Sequence, residues 1–253
     1  MSVLAVIPAR LGATRLTRKP LRLLGGLPLV VRVWQRVQEM SVANEVVVAT
    51  DSDEILAAVR AAGGDGVLTS ADHPSGTDRA AEVAFRPEYS AFDIILNVQG
   101  DEPFVSIEAV RGALAMVREG GFAIGTAASP GAAHALAEPN VVKVVCADDG
   151  RALYFSRAPI PYLRETVDAE ERARLVRQHV GIYAYTREAL GRWVSLPTHP
   201  LERVERLEQL RPLGAGMAIG VATIDEPPAS GVDTEADLIR ANARWNDLYA
   251  GRT

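Results

Sequence analysis

The amino-acid sequence predicts an α/β fold in which helices cover a central, mostly parallel β-sheet. Apolar runs alternate with helical patterns through the first half of the 253 residues, which is typical of successive β-α-β units. Runs such as 46–48 and 94–96 are apolar at consecutive positions, and this indicates strands with both faces covered. A hydrophobic content of 48% is sufficient for a substantial core.

The elements of the first half are predicted from apolar spacing and from helix terminators. Val30, Val33 and Val37 recur every three or four positions, as an amphipathic helix requires. Ser52 and Ser106 stand where N-caps are expected, and glycine pairs follow the second and fourth helices. In chain order, we predict strand 3–7, helix 29–39, strand 45–50, helix 53–62, strand 66–68, helix 77–85, strand 93–98 and helix 107–118.

The second half is less regular, and we expect its elements to be insertions on the same sheet. Residues 159–174, a Pro-Ile-Pro sequence and a charged stretch, are interpreted as an excursion that carries a subunit contact. On a helix predicted over 201–210, Glu202, Glu205 and Glu208 share one face, for which solvation is the ordinary explanation. The other predicted elements are strands 141–146, 153–155, 181–185 and 217–223 and helices 189–194 and 236–248. No linker is recognisable, so we predict a single domain over residues 1–253.

A basic loop follows the first predicted strand. Residues 7–21 contain Arg10, Arg15, Arg18 and Lys19 together with a glycine. Because the preceding strand is apolar throughout, the loop is expected at the edge of a buried sheet, where open α/β proteins bind their ligands. Position and charge together predict a polyphosphate-binding loop.

Composition narrows the classes of partner. The formal net charge is −5 and the pI is about 5.5, so the basic loop is a local feature and nucleic acid is not expected as a partner. The single cysteine, Cys146, lies in a valine-rich run, so we expect a buried thiol and a reducing, cytoplasmic compartment. The first apolar run is too short for a signal peptide or a membrane span, and we expect neither.

Two acidic residues are candidates for a magnesium site. Asp101 follows the fourth predicted strand and should reach the same sheet edge as the basic loop. Mg²⁺ takes one or two protein carboxylates and completes its shell with water and phosphate oxygens, and Asp233, before the last helix, could be a second ligand. The alternative for the first segment is that Asp101 or Glu102 only occupies a turn. The alternative for Asp233 is that it is an acidic residue favoured near the N-terminus of a helix, where Thr234 and Asp237 have the spacing of a capping box.

Two further polar segments are less specific. Residues 71–79 form a turn that opens a helix and could present Ser75 and backbone N–H groups to a ribose or a base, although capping alone explains them. His179 precedes a predicted strand, where a hydrogen-bonded structural histidine is the ordinary interpretation. The spacing offers no zinc cluster and no base paired with the cysteine.

Several motifs, read together and in order, resemble one family, the 3-deoxy-manno-octulosonate (Kdo) cytidylyltransferases or CMP-Kdo synthetases. The motifs are Pro-Ala-Arg at 8–10, Asn-Val-Gln-Gly-Asp-Glu-Pro at 97–103, Tyr-Phe-Ser-Arg at 154–157, His-Val-Gly-Ile-Tyr at 179–183, the glutamate-rich run at 201–211 and Gly-Val-Asp-Thr at 231–234. The resemblance covers essentially the whole chain. The related enzymes that activate sialic acids usually continue their loop to Lys-Asn, whereas Lys-Pro-Leu at 19–21 is similar to the Kdo type.

This resemblance implies a fold and a reaction. The fold is a Rossmann-like (GT-A-like) nucleotidyltransferase domain, generally homodimeric, with a dimerisation excursion near residues 159–174. The implied reaction transfers CMP from CTP to the anomeric C2 hydroxyl of Kdo, giving CMP-Kdo and pyrophosphate for lipopolysaccharide biosynthesis. Mg²⁺ is the implied cofactor.

The resemblance also implies roles for individual residues. Lys19, Asp101 and Asp233 would be catalytic, with the two aspartates as Mg²⁺ ligands. The residues implied for CTP are Ala9, Arg10, Arg15, Lys19, Ser75, Gly76 and Gln99. The residues implied for Kdo are Gln99, Arg157, His179, Tyr183, Glu205 and Glu208. Among these, Arg157 would pair with the carboxylate of the sugar acid, and the last four would contact its hydroxyl groups.

The basic loop departs from the family pattern at one place. Thr17 and Arg18 replace the usual Pro-Gly, which changes the stiffness of the loop and adds a positive charge. Phosphate binding is therefore the property that this departure affects.

Two other functions are compatible with the residues. One is a cytidylyltransferase for a Kdo variant or another 2-keto sugar acid. The other is a nucleotide-binding module that binds CTP without turnover, although every carboxylate and cation that the reaction needs is present in the sequence.

Overall fold

The computed structural model describes residues 1–12, 15–131, 133–165, 168–225, 229 and 231–249. Their strands are β1 (Val3–Ala9), β2 (Leu23–Leu24), β3 (Leu27–Pro28), β4 (Glu45–Thr50), β5 (Asp65–Leu68), β6 (Ile94–Asn97), β7 (Ile124–Pro130), β8 (Lys143–Cys146), β9 (Ala152–Ser156), β10 (Arg177–Thr186) and β11 (Ile219–Thr223). Their helices are α1 (Leu29–Glu39), α2 (Asp53–Ala61), α3 (Gly76–Ala84), α4 (Ile107–Arg118), α5 (Ala169–Leu175), α6 (Arg187–Ser195), α7 (Pro200–Glu205), α8 (Leu210–Gly214) and α9 (Glu235–Tyr249).

All eight elements predicted in the first half are confirmed, and two helices have the predicted bounds. These are α1 and α4, whose buried residues follow the predicted apolar spacing. The two predicted N-caps are also present, since Ser52 accepts a hydrogen bond from the Ile55 amide and Ser106 from the Glu108 amide. Local signals are therefore sufficient to place these helices.

The described residues form two compact units. The first unit contains residues 2–105 and the segment from 229 onward, and the second contains Met1 and residues 106–228. In the first unit, β6, β1, β4 and β5 pair in that order and all pairs are parallel. The consecutive apolar residues 3–7 of β1 and 46–49 of β4 are buried, as predicted for strands covered on both faces.

The second unit contains strands of both directions. Strand β7 pairs with β11 in parallel and with β10 in antiparallel orientation, and β8 pairs antiparallel with β10 and β9. The sequence interpretation missed β7 because its residues are mainly small. At Gly125 the small residue has a packing reason, since a Cβ there would lie 2.1 Å from the Ala113 carbonyl oxygen of α4. His179 lies inside β10 and not before it as predicted, because the strand begins at Arg177.

The predicted helix over 201–210 is wrong. The structure has α7 and α8, separated at Arg206, whose φ of 54° is left-handed and ends the helix. The three glutamates therefore do not share one helical face. Glu202 is only 8% exposed and pairs with Arg211 through bonds of 2.9 and 2.5 Å, so a buried ion pair overrides the helical spacing.

The segment interpreted as a subunit contact contains one helix, α5, while residues 166–167 lie outside the described part of the chain. The dimer and the single domain over 1–253 stay predictions.

Candidate active site

The basic loop is anchored in the first unit by Leu16. This side chain is 3% exposed and belongs to a hydrophobic cluster with residues of the C-terminal segment, including Val232 and Leu238. The Leu16 carbonyl accepts a hydrogen bond of 3.1 Å from the Lys19 amide, where a short 3-10 turn begins. A buried leucine therefore fixes the part of the loop that carries Lys19.

Lys19, Asp101 and Asp233, which the resemblance implies as catalytic, are brought together. The Lys19 ammonium lies 2.5 Å from Asp101 Oδ2 and 2.7 Å from Asp233 Oδ1. Burial alone would lower the pKa of Lys19, but the two carboxylates outweigh it and raise the pKa above its ordinary value. Lys19 is therefore a firmly protonated cation that bridges two carboxylates.

The segments that carry these carboxylates are joined through their backbones. The Val232 amide donates to the Asp101 carbonyl at 2.9 Å. On the C-terminal side, Asp237 accepts hydrogen bonds from the amides of Asp233 and Thr234 at 3.2 and 2.8 Å, and the Asp237 amide donates to the Thr234 hydroxyl. The predicted capping pair is thus confirmed, and it also orients the chain at Asp233.

Close backbone approach brings three of the implied nucleotide-binding segments together. A Cβ on Gly100 would lie 2.6 Å from the Pro8 carbonyl oxygen, so only glycine fits beside the end of β1. A Cβ on Gly76 would lie 3.1 Å from Pro8 Cγ and 3.6 Å from Gln99 Oε1. Gly76, Gln99 and the Pro8-Ala9 end of β1 are therefore neighbours in the first unit.

Ser75 caps the N-terminus of a helix, which was the alternative to a contact with a ribose or a base. Its hydroxyl accepts from the Asp78 amide at 3.2 Å and donates to Asp78 Oδ2 at 2.6 Å at the start of α3. The turn before it is tied to the same helix, since His73 Nε2 lies 2.5 Å from Glu82 Oε2. Burial alone would raise the pKa of Glu82, but hydrogen bonds from the Ser70 amide and neighbouring side chains lower it to about 2.

Glu102 is a third carboxyl group at the site that sequence reasoning did not assign. Burial, reinforced by the charge of Asp101, raises the pKa of Glu102 to about 8. Glu102 is therefore mostly protonated at neutral pH, and the negative charge around Lys19 comes from Asp101 and Asp233. Its position directly after Asp101 is the sequence signal that could have identified it.

The arginines of the loop differ in their partners. Arg10 is exposed just after β1, and Arg15 Nη2 donates to Asp233 Oδ2 at 3.0 Å. Arg18 adopts a left-handed φ of 56° and pairs with both oxygens of Glu54 on α2. The charge that this chain adds to the family loop is therefore engaged by Glu54.

Replacing Arg18 should affect nucleotide binding much less than replacing Arg15. For CTP, the nucleotide that the family resemblance implies, Arg18→Ala is expected to change the KM by less than about twofold, because Arg18 is engaged in an exposed ion pair with Glu54, and such a pair contributes little. Arg15→Ala is expected to raise that KM about tenfold, because its guanidinium lies beside the Asp233 carboxylate and arginine forms strong, charge-assisted hydrogen bonds with phosphate. Steady-state kinetics on the matched pair measures both values, and equal effects would contradict the distinction.

Asp101 and Asp233 could hold a metal ion. Both supply hard oxygen atoms, both are partly exposed, and both already contact one shared cation, the Lys19 ammonium. Within the described ranges, no group of three or more His, Cys, Asp or Glu residues is arranged to hold a metal. A pair of carboxylates suits Mg²⁺, which completes its shell with water and phosphate oxygens.

The implied Kdo residues other than Gln99 lie in the second unit. Glu205, at the end of α7, accepts from the Ser156 hydroxyl at 2.6 Å and from the Arg157 amide at 2.9 Å. The Arg157 guanidinium donates to the carbonyls of Glu205, Pro139 and Arg206 at 2.9, 3.1 and 3.4 Å. Glu205 therefore holds the Arg157 backbone. Ser156 contacts this implied Kdo residue, and sequence reasoning gave it no role, although it belongs to the Tyr-Phe-Ser-Arg motif.

His179 and Tyr183 form an aromatic group with Glu208 nearby. Their ring centroids are 5.5 Å apart, and His179 Nε2 lies 3.0 Å from Thr126 Oγ1. Burial lowers the pKa of His179 to about 3 and, with Tyr185 and Glu208, raises that of Tyr183 well above 10. Both side chains are therefore neutral at physiological pH. Sequence reasoning missed Thr126 because it lies on the unpredicted strand β7.

The part of the chain described by the structure has no helix that is both long and apolar enough to cross a membrane.

A family model described as cytidylyltransferase matches residues 4–219. A 3-deoxy-manno-octulosonate cytidylyltransferase of Gemmatimonas aurantiaca is 62% identical, over 100% of this chain and 98% of its own length.

Two solved structures are also similar. One is a CMP:2-keto-3-deoxy-manno-octonic acid synthetase in complex with CTP, with a TM-score of 0.89 and 39% identity over 98% of this chain and all of the other. The other is a 4-diphosphocytidyl-2C-methyl-D-erythritol synthase from Anaerococcus prevotii, with a TM-score of 0.62 and 16% identity over 96% of this chain and 97% of the other, which shows the fold alone. The predicted α/β nucleotidyltransferase fold with a mostly parallel central sheet is confirmed. Since the family model matches most of the chain and the curated relative matches it from end to end, the chain belongs to the 3-deoxy-manno-octulosonate cytidylyltransferase family.

Proposed function

We propose that the protein transfers CMP from CTP to the C2 hydroxyl of Kdo, giving CMP-Kdo and pyrophosphate for lipopolysaccharide biosynthesis. The observation that carries the proposal is the Lys19 ammonium bonded to both Asp101 and Asp233, beside the close-packed nucleotide segments. The name of the 62% identical relative supports the choice of sugar acid, and the CTP complex of the similar structure supports the nucleotide. A CTP-dependent reaction fits the cytoplasmic location that the sequence predicts.

On this proposal, the first unit binds the nucleotide and a Mg²⁺ ion. Asp101 and Asp233 would hold the ion, which when bound lowers the pKa of the sugar hydroxyl and offsets phosphate charge. Lys19 and Arg15 would bind the triphosphate and stabilise the negative charge that develops as pyrophosphate leaves. Gly76 and Gln99 would contact the nucleotide through the turn that packs on Pro8.

The second unit would bind the sugar acid. Arg157 would pair with its carboxylate, since the hydrogen bonds to the three backbone carbonyls occupy only part of the five N–H donors of a guanidinium. The Thr126 hydroxyl has one proton, and it donates this proton to the Ile182 carbonyl, its shortest contact at 2.7 Å. Towards His179 the hydroxyl oxygen is therefore the acceptor, and Nε2–H of the neutral imidazole is the donor. His179 Nδ1 is then the nitrogen that can accept a hydrogen bond from a sugar hydroxyl.

A substrate panel read by pyrophosphate release tests this function. CTP, ATP, GTP and UTP are each combined with freshly prepared Kdo, a Kdo variant or a sialic acid, with Mg²⁺ or with EDTA. Release is expected with CTP, Kdo and Mg²⁺ together and is expected to stop with EDTA. Faster release with another sugar acid would reassign the substrate, and CTP binding without release for any acid would contradict the enzyme proposal.

A further inference from the structure

The chain uses lysine at only two positions. Of 27 basic residues, Lys19 and Lys143 are lysines and the remaining 25 (27 − 2) are arginines. Both lysine side chains are shielded: that of Lys19 is 13% exposed and Lys143 is 0% exposed. At every other basic position the cation is an arginine. The two lysines share one feature, which is a compact ammonium group enclosed by carboxylate or carbonyl oxygen atoms.

Lys143 begins β8 and places its ammonium among three backbone carbonyls. Nζ lies 3.0 Å from the Glu138 oxygen, 2.7 Å from the Val141 oxygen and 2.6 Å from the Arg157 oxygen. An ammonium has three N–H donors and no acceptor, so each donor has one carbonyl and the buried charge is satisfied. An arginine could not reproduce this arrangement, because its donors lie in a planar fork on a larger group.

One of the three carbonyls belongs to Arg157. The Arg157 peptide is thus held on both sides, with its oxygen at Lys143 and its N–H at Glu205 Oε2, 2.9 Å away. Lys143 also holds the Glu138 and Val141 carbonyls on either side of Pro139, whose own carbonyl accepts from Arg157 Nη1. A single ammonium therefore fixes both the backbone of Arg157 and the loop on which its guanidinium rests.

We propose that Lys143 is a positioning residue that orients Arg157 for the carboxylate of the sugar acid. This inference rests on the proposed function, which assigns that carboxylate to Arg157. Lys143 acts through the backbone and does not itself contact the substrate. Its loss should weaken sugar-acid binding selectively, because a displacement of about 1 Å is enough to impair a bidentate contact.

The first test separates the two KM values. Lys143→Met, which keeps the length of the side chain without its charge, is expected to raise the KM for Kdo about tenfold or more and to change the KM for CTP less than about twofold. Lys143→Arg is expected not to restore the KM for Kdo. The control is Leu114→Ala on α4, which removes a buried side chain and should lower stability without changing either KM.

The second test does not depend on activity. With two lysines in the chain, selective ¹⁵N-lysine labelling allows at most two side-chain ammonium signals in a ¹H–¹⁵N NMR spectrum. A slowly exchanging ammonium signal that disappears in Lys143→Met is expected, because a buried, fully bonded ammonium is protected from solvent. Absence of that signal, or its survival in the variant, would overturn the bonding that the proposal requires.

The outcomes separate this inference from the proposed function. If the wild-type protein turns over CTP and Kdo but Lys143→Met keeps its KM for Kdo, or raises both KM values equally, the positioning role is refuted and the function stands. If the wild-type protein releases no pyrophosphate with Kdo, the proposed function fails, and the NMR signal still decides the bonding of Lys143.

Discussion

Asp101→Ala is expected to lower kcat by on the order of 10³-fold or more while the protein remains folded. The substitution removes one of the two carboxylates that share the Lys19 ammonium, and with it half of the oxygen set proposed for Mg²⁺. Asp101 is partly exposed, so its ion pair contributes about 1 kcal/mol or less to stability. The thermal unfolding midpoint should therefore stay within about 4 °C of the wild type.

Pyrophosphate release and thermal unfolding, measured on the same preparations, check this expectation. Asp149→Ala is the matched control, because Asp149 is an exposed acid whose closest ion-pair contact is 3.8 Å, to Arg151. It should retain full activity. Asp233→Ala should behave as Asp101→Ala does. Wild-type turnover in either site variant would refute the assignment of that carboxylate.

Lys19→Met is expected to change catalysis and metal binding in opposite directions. Turnover should fall on the order of 10²-fold to 10³-fold, because the cation proposed to stabilise the triphosphate is removed. In the absence of nucleotide, Mg²⁺ should bind the variant more tightly than the wild type, because the ammonium no longer competes for Asp101 and Asp233. Ligand binding to the folded state raises the unfolding midpoint.

The Mg²⁺-induced shift of the unfolding midpoint, measured without CTP, is therefore expected to be larger in Lys19→Met than in the wild type. Lys19→Arg is the companion variant, and it should not restore turnover because a planar fork cannot place one compact charge between two carboxylates. A variant with unchanged kcat would contradict the catalytic role. An equal or smaller shift with Mg²⁺ would contradict the shared carboxylate site.

Secondary structure was predictable where a local pattern agreed with the tertiary environment. Helix α4 has regularly spaced apolar residues, a serine cap and a glycine pair after it, and its bounds were predicted correctly. Strand β7 was missed because its residues are mainly small, and the close approach of α4 that requires glycine at position 125 is not visible in the sequence. The prediction of one helix over 201–210 was wrong because the buried Glu202–Arg211 pair and the left-handed backbone of Arg206 override the helical spacing of the apolar residues.

Some residues of the candidate site could be predicted from local sequence, and others could not. A strand followed by arginines and lysine was enough to expect a phosphate loop, and the position of Asp101 was enough to expect it nearby. Nothing in the spacing places Asp233 beside Lys19, 214 residues earlier, and only the family resemblance did so. The role of Lys143 was missed because a lysine within a valine-rich strand gives no periodic signal, although the scarcity of lysine in the chain was visible.

The backbone bond between Val232 and Asp101 has a consequence for biosynthesis. The two carboxylates belong to one unit, but the chain that supplies Asp233 is made long after the chain that supplies Asp101. At about 5 to 20 residues per second, a ribosome needs on the order of 10 s to reach the second aspartate after the first. A nascent chain in that interval contains the basic loop and Asp101 without Asp233, so we expect the enzyme to gain activity only as helix α9 docks.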